Sequence, residues 1–451
     1  MQRAIGLRGA VAINVITMIG IGPLITIPLV LAALGGPLAL TAWIAGALLA
    51  LCDGLVWAEL SSRLPGSGGT YVYLRAAFGE HSFGRALAFL FNWQYLLFAP
   101  CVLASGYIGM VNYSAYLVPS LAQNALARDA LSVGIGLLTI ALLYRKTSEV
   151  AALGNVLGIA ATTTIAIVTI AAFSHAHVAQ PFQLGAPFKL GTAFLAGFAT
   201  ALYIAIYDYT GYSTAALVGD EVKEPNRTIP LAILFSVLIV AVLYVLLQVG
   251  VLSAIPWRTL LDAHGNPTPE SQYIGSTIVE AAWGRWSAVI VTVLVLVTAF
   301  ASLYGNLLGA SRIPYAAATD GAFIPKFAKL HPTGDFPYVS LLAVGGLSLI
   351  ASFFTLDQVI AFLTAGIVLI QGFAQIVALA VLRRRGPATF RMPLYPLPAV
   401  LALAGWLLAF VYTGASAIEL AAGWLAIGVV IFLVVARVER WWPFAAVPTE
   451  R

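Results

Sequence analysis

Twelve apolar runs, most about as long as a bilayer crossing, restrict this chain to one class of fold. They cover residues 11–34, 38–60, 86–118, 131–144, 150–173, 192–219, 230–254, 287–318, 337–354, 357–382, 396–415 and 421–438. A crossing helix needs about 20 apolar residues. Inside lipid, only helices and closed barrels satisfy every backbone polar group. Hydrophobic residues make up 61% of the chain and charged residues 9%, against about 25% charged in a soluble domain. The expectation is an all-α integral membrane protein of twelve transmembrane helices, with the fourth run short and the third and eighth long. No linker or low-complexity segment divides it, so residues 1–451 read as one integral domain.

The basic residues supply the topology, because cytoplasmic loops carry excess Lys and Arg. With both termini inside, 19 of the 23 basic residues fall on the cytoplasmic side, among them Arg63, Arg75, Arg145, Lys146, Lys326 and Arg383. Arg128, Lys189, Arg258 and Arg285 fall outside. The formal charge of +5 is then a topology signal and implies no nucleic-acid partner. The first run begins about ten residues from Met1 without a small-residue cleavage site, so no removed signal peptide is expected. Cys52 and Cys101 lie within runs and imply no disulfide. Trp257, Trp283, Trp286, Trp441 and Trp442 fall near interfaces, where amphipathic rings anchor. A short helix is expected near residues 271–283.

Two runs are interrupted. The first contains Met18-Ile19-Gly20-Ile21-Gly22-Pro23; the sixth contains Asp208, Tyr209, Thr210, Gly211, Tyr212, Ser213 and Thr214. A charge in mid-membrane costs about 2.5–3.5 kcal/mol on insertion scales, so it is kept for a function or an internal partner. The interruptions lie five runs apart, which makes the second copy enter from the opposite face. Paired breaks in inverted halves point to a transporter site. A 5+5 inverted repeat follows, with a first copy over about 11–173 and a second over about 192–382. The last two helices, about 396–438, lie outside it.

At the first break, two glycines weaken the helix and Pro23 suits the first turn of a new one. Free N–H groups around Ile19, Gly20, Ile21 and Gly22, with the half-helix dipole, can hold a carboxylate. A glycine packing face with a proline kink is the alternative. At the second break, carbonyls near Tyr207–Thr210 can accept from an ammonium group, and Tyr207, Tyr209 and Tyr212 can close over a side chain or cation. Asp208 can pair with a cationic substrate or carry a coupling proton; a helix-capping carboxylate is the alternative. Asp53 is the other intramembrane acid, a proton site or a packing partner. Glu59 reads as a loop-organising charge. Gln94, Ser302, Asn306, Gln371 and Gln375 are polar residues in apolar runs, for interhelical bonding or for lining a cavity. The segment GDEVKEPNRTIP reads equally as a gate hinge and as a solvated loop.

His81, His175, His177, His264 and His331 all fall outside the runs, which argues against haem ligation or a membrane metalloprotease. His175 and His177 can chelate a metal but read better as a solvated pair. No metal or other cofactor is expected, and no Walker A sequence supports ATP-driven pumping.

At these residues the chain resembles the amino acid–polyamine–organocation superfamily of permeases. WAELSSRLPGSGGTYVYLRAAFG is similar to the superfamily's second helix and following loop, and YDYTGYSTAALVGDEVKEPNRTIP to its sixth. GASRIPYAAATDGAFIPKFAKLHP and RRRGPATFRMPLYPLPA resemble later loops in the same order. The resemblance implies a leucine-transporter-like fold and alternating access. It also implies a substrate carboxylate at Ile19–Gly22, a substrate amine at the Tyr207–Thr210 backbone, and Tyr207 as an aromatic gate. It does not extend to a fifth-helix lysine that stands in for sodium in many proton-coupled members; Ala161 is the nearest match. Asp208 replaces what is often a small or neutral residue. The second helix is similar to that of polyamine and amino acid uptake members.

The leading expectation is a secondary permease for an amino acid in the cell membrane, proton-coupled or exchanging. Asp208 and Asp53 favour extra positive charge on the substrate, so a polyamine or other organic cation is the alternative. A transporter-fold receptor that senses without moving its ligand is the alternative of another class. No nucleophile–base pair within the runs supports an enzyme.

Overall fold

The computed structural model describes residues 5–66, 68–144, 163–176 and 191–444. The first half of the fifth run with Ala161, and Arg145, Lys146, His177 and Lys189, lie outside the described residues. Among those described the secondary structure is helical, with only two isolated backbone bridges, Ile5–Val222 and Leu261–Pro267.

The helices, in chain order, are α1 Leu7–Met18, α2 Gly22–Leu34, α3 Ala39–Arg63, α4 Thr70–Phe78, α5 Phe83–Leu117 and α6 Ala125–Leu143. α7 is Thr163–Ser174. Then come α8 Thr192–Tyr209, α9 Thr214–Leu217, α10 Pro225–Ala254, α11 Ile274–Trp283 and α12 Arg285–Thr319. The chain closes with α13 Tyr338–Ala351, α14 Leu356–Ile367, α15 Phe373–Arg385, α16 Leu397–Tyr412 and α17 Ala415–Val438.

Every expected run carries helix where it is described. Eight helical segments are long and apolar enough to cross a membrane, and the bent pair α1–α2 makes a ninth. α7, α13 and α16 are apolar but shorter. α6 starts six residues before the expected run, because Asn124 caps it by accepting from the Ala127 N–H and carries it through the polar Arg128–Asp129 turn. Between α14 and α15 the tenth run passes through a π-helical turn, Val368–Gly372. The expected short helix near 271–283 is present as α11, led in by a 3₁₀ turn at Pro269–Tyr273.

α5, 35 residues and about 50 Å long by helical rise, packs against α4, α12, α13, α14 and α17. α3 packs against α8, α10 and α16. The last helix is fastened by a reciprocal pair: Trp93 Nε1 donates to Trp424 O at 2.7 Å and Trp424 Nε1 to Trp93 O at 2.9 Å, with the rings stacked 4.9 Å apart.

Glu59 organises more than a loop. It is fully buried at the end of α3 and accepts from Arg63 and Arg383, and from the Met392 N–H at 2.8 Å. Arg63 also donates to Leu382 O and Gly386 O, and Arg383 lies over the Tyr395 ring. This clasp joins α3 to the end of α15. The segment after α9 is likewise anchored: Ile5 N donates to Glu221 O and Lys223 N donates to Ile5 O.

Candidate functional site

The first crossing breaks at Ile19–Gly20–Ile21. Ile19 leaves the helical region at φ −84°, ψ 89°. α2 restarts at Gly22 with Pro23 in its first turn, as the sequence reading expects. The two half-helices meet at 51°. The second break starts later than expected, because Asp208 and Tyr209 are still helical. Thr210 turns extended and Gly211 adopts φ +115°, a conformation L side chains rarely adopt. A Cβ there would also sit 3.0 Å from Thr17 Cγ2 and 3.2 Å from Met18 N.

Three side chains tie the breaks together. Tyr244 of α10 places its hydroxyl 2.7 Å from Met18 O and 3.1 Å from Asp208 O, so one donor serves the last turns of both α1 and α8. Asn14 of α1 accepts from the Ala215 N–H at 2.8 Å and thereby caps α9. Its own amide reaches Ser236 of α10 at 3.3 Å. Thr26 of α2 lies 2.5 Å from Asp208 Oδ2. Asp208 Oδ1 rests against Gly22, where a Cβ would displace it. Sequence reasoning missed Asn14, Thr26 and Tyr244; a polar side chain on each apolar helix was the available signal.

The three tyrosines do not gather. Tyr207 pairs with Ser105 of α5 at 2.7 Å, Tyr209 donates to Trp43 O of α3 at 3.2 Å, and Tyr212 donates to Asp53 Oδ2 at 2.5 Å. Residues two apart on a helix point roughly 200° apart, so Tyr207 and Tyr209 cannot close over one ligand. Tyr207 alone stays beside the first break. Its carbonyl accepts from Thr210 N and Oγ1, and the Asp208 carbonyl from Tyr244. Two of the carbonyls expected to hold an ammonium are therefore already partnered.

Beside the first break stands α12. A Cβ on Gly20 would lie 3.0 Å from Ser302 Oγ, and Asn306 donates to Ser302 O at 2.9 Å. Gly305 and Gly309 of the same helix face open space. α2 is enclosed on nearly every side, whereas α1 buries only Ala10, Asn14 and Met18. Gln94, Gln371 and Gln375 lie elsewhere: Gln94 and Gln371 share a small cavity between α5 and the π-helical turn, and Gln375 accepts from Thr70. Among the described residues no cluster of three or more His, Cys, Asp or Glu can hold a metal.

A multi-pass helical membrane protein with two broken helices joined at their breaks is the class that fold and site define. The chain belongs to the amino acid permease family, whose model matches residues 5–437. It is 30% identical over 364 residues to the vacuolar cationic amino acid transporter 4 of Arabidopsis thaliana, covering 76% of this chain and 57% of that protein. It is 26% identical to the serine/threonine exchanger SteT of Bacillus subtilis, with 90% of each covered. The branched-chain amino acid permease BcaP of the same organism is 25% identical, with 94% of this chain and 92% of that protein covered. The chain spans under three-fifths of the length of the cationic amino acid transporters it matches. These relatives are named as transporters and permeases, not enzymes.

Proposed function

We propose that this chain carries an amino acid with an uncharged side chain across the cell membrane by alternating access, both termini cytoplasmic. The substrate carboxylate sits at the start of α2, on the N–H groups of Ile21 and Gly22, where the half-helix dipole favours an anion; those of Ile19 and Gly20 already donate to Val15 O and Met18 O. Its amine meets the Thr210 carbonyl and the Ser302–Asn306 edge of α12, since the Gly211 carbonyl already accepts from Thr214 N and Oγ1. Tyr207 covers the side chain. The inverted repeats over about 11–173 and 192–382 supply the rocking bodies. Movement of a proton with the substrate, or exchange of one amino acid for another, completes the cycle.

The observation that carries this reading is the meeting of the two breaks beside open space on α12. Both intramembrane acids are buried against internal partners, 2% exposed for Asp53 and 3% for Asp208. Neither reaches out to a second positive charge, which supports a neutral substrate over a polyamine.

The test is ligand-induced thermal stabilisation of the purified protein, followed by uptake into proteoliposomes. A ligand bound only to the folded state raises its apparent stability by mass action. A neutral amino acid that stabilises, while its decarboxylated amine does not, supports the carboxylate site. Stabilisation by polyamines alone transfers the reading to organic cations. Binding without uptake makes the protein a receptor.

A further inference from the structure

The two intramembrane acids differ in their surroundings, and hydrogen-bond counting separates them. At Asp53, Tyr212 donates to Oδ2, and its hydroxyl serves no other acceptor. The indole N–H groups of Trp57 and Trp406 lie next to the same carboxyl, outside strict hydrogen-bond geometry, and have no other acceptor among the described residues. Tyr212 is thus its one hydrogen-bond donor, with two unpartnered indole N–H groups, from α3 and α16, beside it. An ionised carboxylate accepts only, at about four sites, and this setting suits one.

Asp208 has no such setting. Its single side-chain hydrogen-bond partner is the Thr26 hydroxyl, which carries one hydrogen and stands within reach of two acceptors, Asp208 Oδ2 at 2.5 Å and Gly22 O at 3.1 Å. Oδ1 has no donor. The titratable groups that face it are the phenols of Tyr207 and Tyr209 on α8 and Tyr244 on α10. α2 presents only Thr26; α3, α14 and α16, which also pack on α8, bring no charged described side chain close enough to act on it. A buried anion with one contested donor and no cation is strongly disfavoured. A hydrogen on Oδ2 resolves the count: Asp208 donates to Thr26 Oγ1, Thr26 donates to Gly22 O, and Oδ1 is left as a neutral carbonyl against Gly22.

We infer that Asp208 is the proton-carrying group of this transporter, loaded in the conformation seen here. The inference rests on the transport reading above and names the coupling residue within it. The proton joins Oδ2 and leaves to water, and water reaches Asp208 only when α2 and α8 part. Loss of the proton leaves a buried anion with one contested donor, which water must then solvate, so ionisation and separation of the two half-helices belong to one step.

The test is infrared difference spectroscopy of the purified protein near neutral pH, reading the C=O stretch of a protonated carboxylic acid. The band is expected in the native protein and in Asp53→Asn, lost in Asp208→Asn, and shifted in Thr26→Val, which removes the hydroxyl partner. Absence of the band from the native protein, or its loss in Asp53→Asn but not in Asp208→Asn, overturns the inference. A second measurement follows proton entry into proteoliposomes with a pH-sensitive dye as amino acid is added. Native protein should move protons with substrate, and any amino acid flux remaining in Asp208→Asn should be proton-silent. Proton-coupled flux in Asp208→Asn overturns the assignment. Amino acid stabilisation, measured on the same samples, separates the two levels: stabilisation without the band defeats only the proton assignment, and the band without stabilisation defeats only the transport reading.

Discussion

The hydroxyl of Tyr244 lies 2.7 Å from the carbonyl oxygen of Met18, the last helical residue before the first break. The same hydroxyl stands 3.1 Å from Asp208 O, so the single hydrogen of one side chain on an unbroken helix is shared between a carbonyl from each broken helix. Orphaned carbonyls are the standing cost of ending a helix inside a membrane. Tyr244 offers one donor between the two helices, and Met18 O also accepts from the Gly20 N–H.

Tyr244→Phe keeps the ring, and with it the edge contacts to Trp43 and Tyr209, but strips the donor. Met18 O keeps the Gly20 N–H, so losing this one shared hydrogen bond should cost about 0.5–1.5 kcal/mol of stability. Thermal unfolding of the detergent-solubilised protein should show the drop, and transport should fall further than folding. Unchanged stability and uptake would remove Tyr244 from the site.

Gly22→Ala places a methyl group on Asp208 Oδ1. Overpacking a tight site costs about 1–3 kcal/mol. Uptake in proteoliposomes should fall at least tenfold. Adding Asp208→Ala should make the stability losses sub-additive, with an interaction energy of about 0.5–3 kcal/mol in a double-mutant cycle. Strict additivity would show that the two positions do not touch.

Glu59→Gln leaves Arg63 and Arg383 facing a neutral amide in a buried clasp. Breaking one side of a buried ion pair costs about 3–5 kcal/mol. The expected result is a lower unfolding temperature with little change in ligand affinity per folded molecule, measured by calorimetry at fixed detergent. A change in affinity without a change in stability would contradict a purely architectural clasp.

Asn14→Leu removes the cap on α9 and should cost about 0.5–2 kcal/mol. Asn14→Asp keeps the acceptor for the Ala215 N–H and loses the donor to Ser236. Thermal unfolding should therefore rank the proteins native, Asp, Leu. Leu at or above Asp would argue that the amide, not the cap, is what matters.

The helical runs were legible because lipid admits no other economical backbone, and the two breaks because Gly20, Pro23, Asp208 and Gly211 stand out in apolar surroundings. What the sequence does not carry is pairing across distance. Thr26 and Asp208 are 182 positions apart, and only the packing of α2 on α8 brings them together. The tyrosine cage failed for a local reason: the helix continues through Tyr209, so helical phase sends Tyr207 and Tyr209 to different neighbours. The π-helical turn at Val368–Gly372 was silent because its composition matches the apolar run around it. The α6 start was missed because Arg128 and Asp129 look like a loop until Asn124 is recognised as a cap. The neutral-substrate reading also came from structure alone, since sequence shows that acids are present but not that their oxygens face inward.

Asn14 binds α1 to α9, and Thr26 with Asp208 binds α2 to α8. The four half-helices are thereby joined in two pairs, α1 with α9 and α2 with α8. Two hinges remain, at Ile19–Ile21 and Thr210–Ser213, and Tyr244 is the common axle. Because the same contacts span both, a bulky side chain wedged into one break should disturb the other as well.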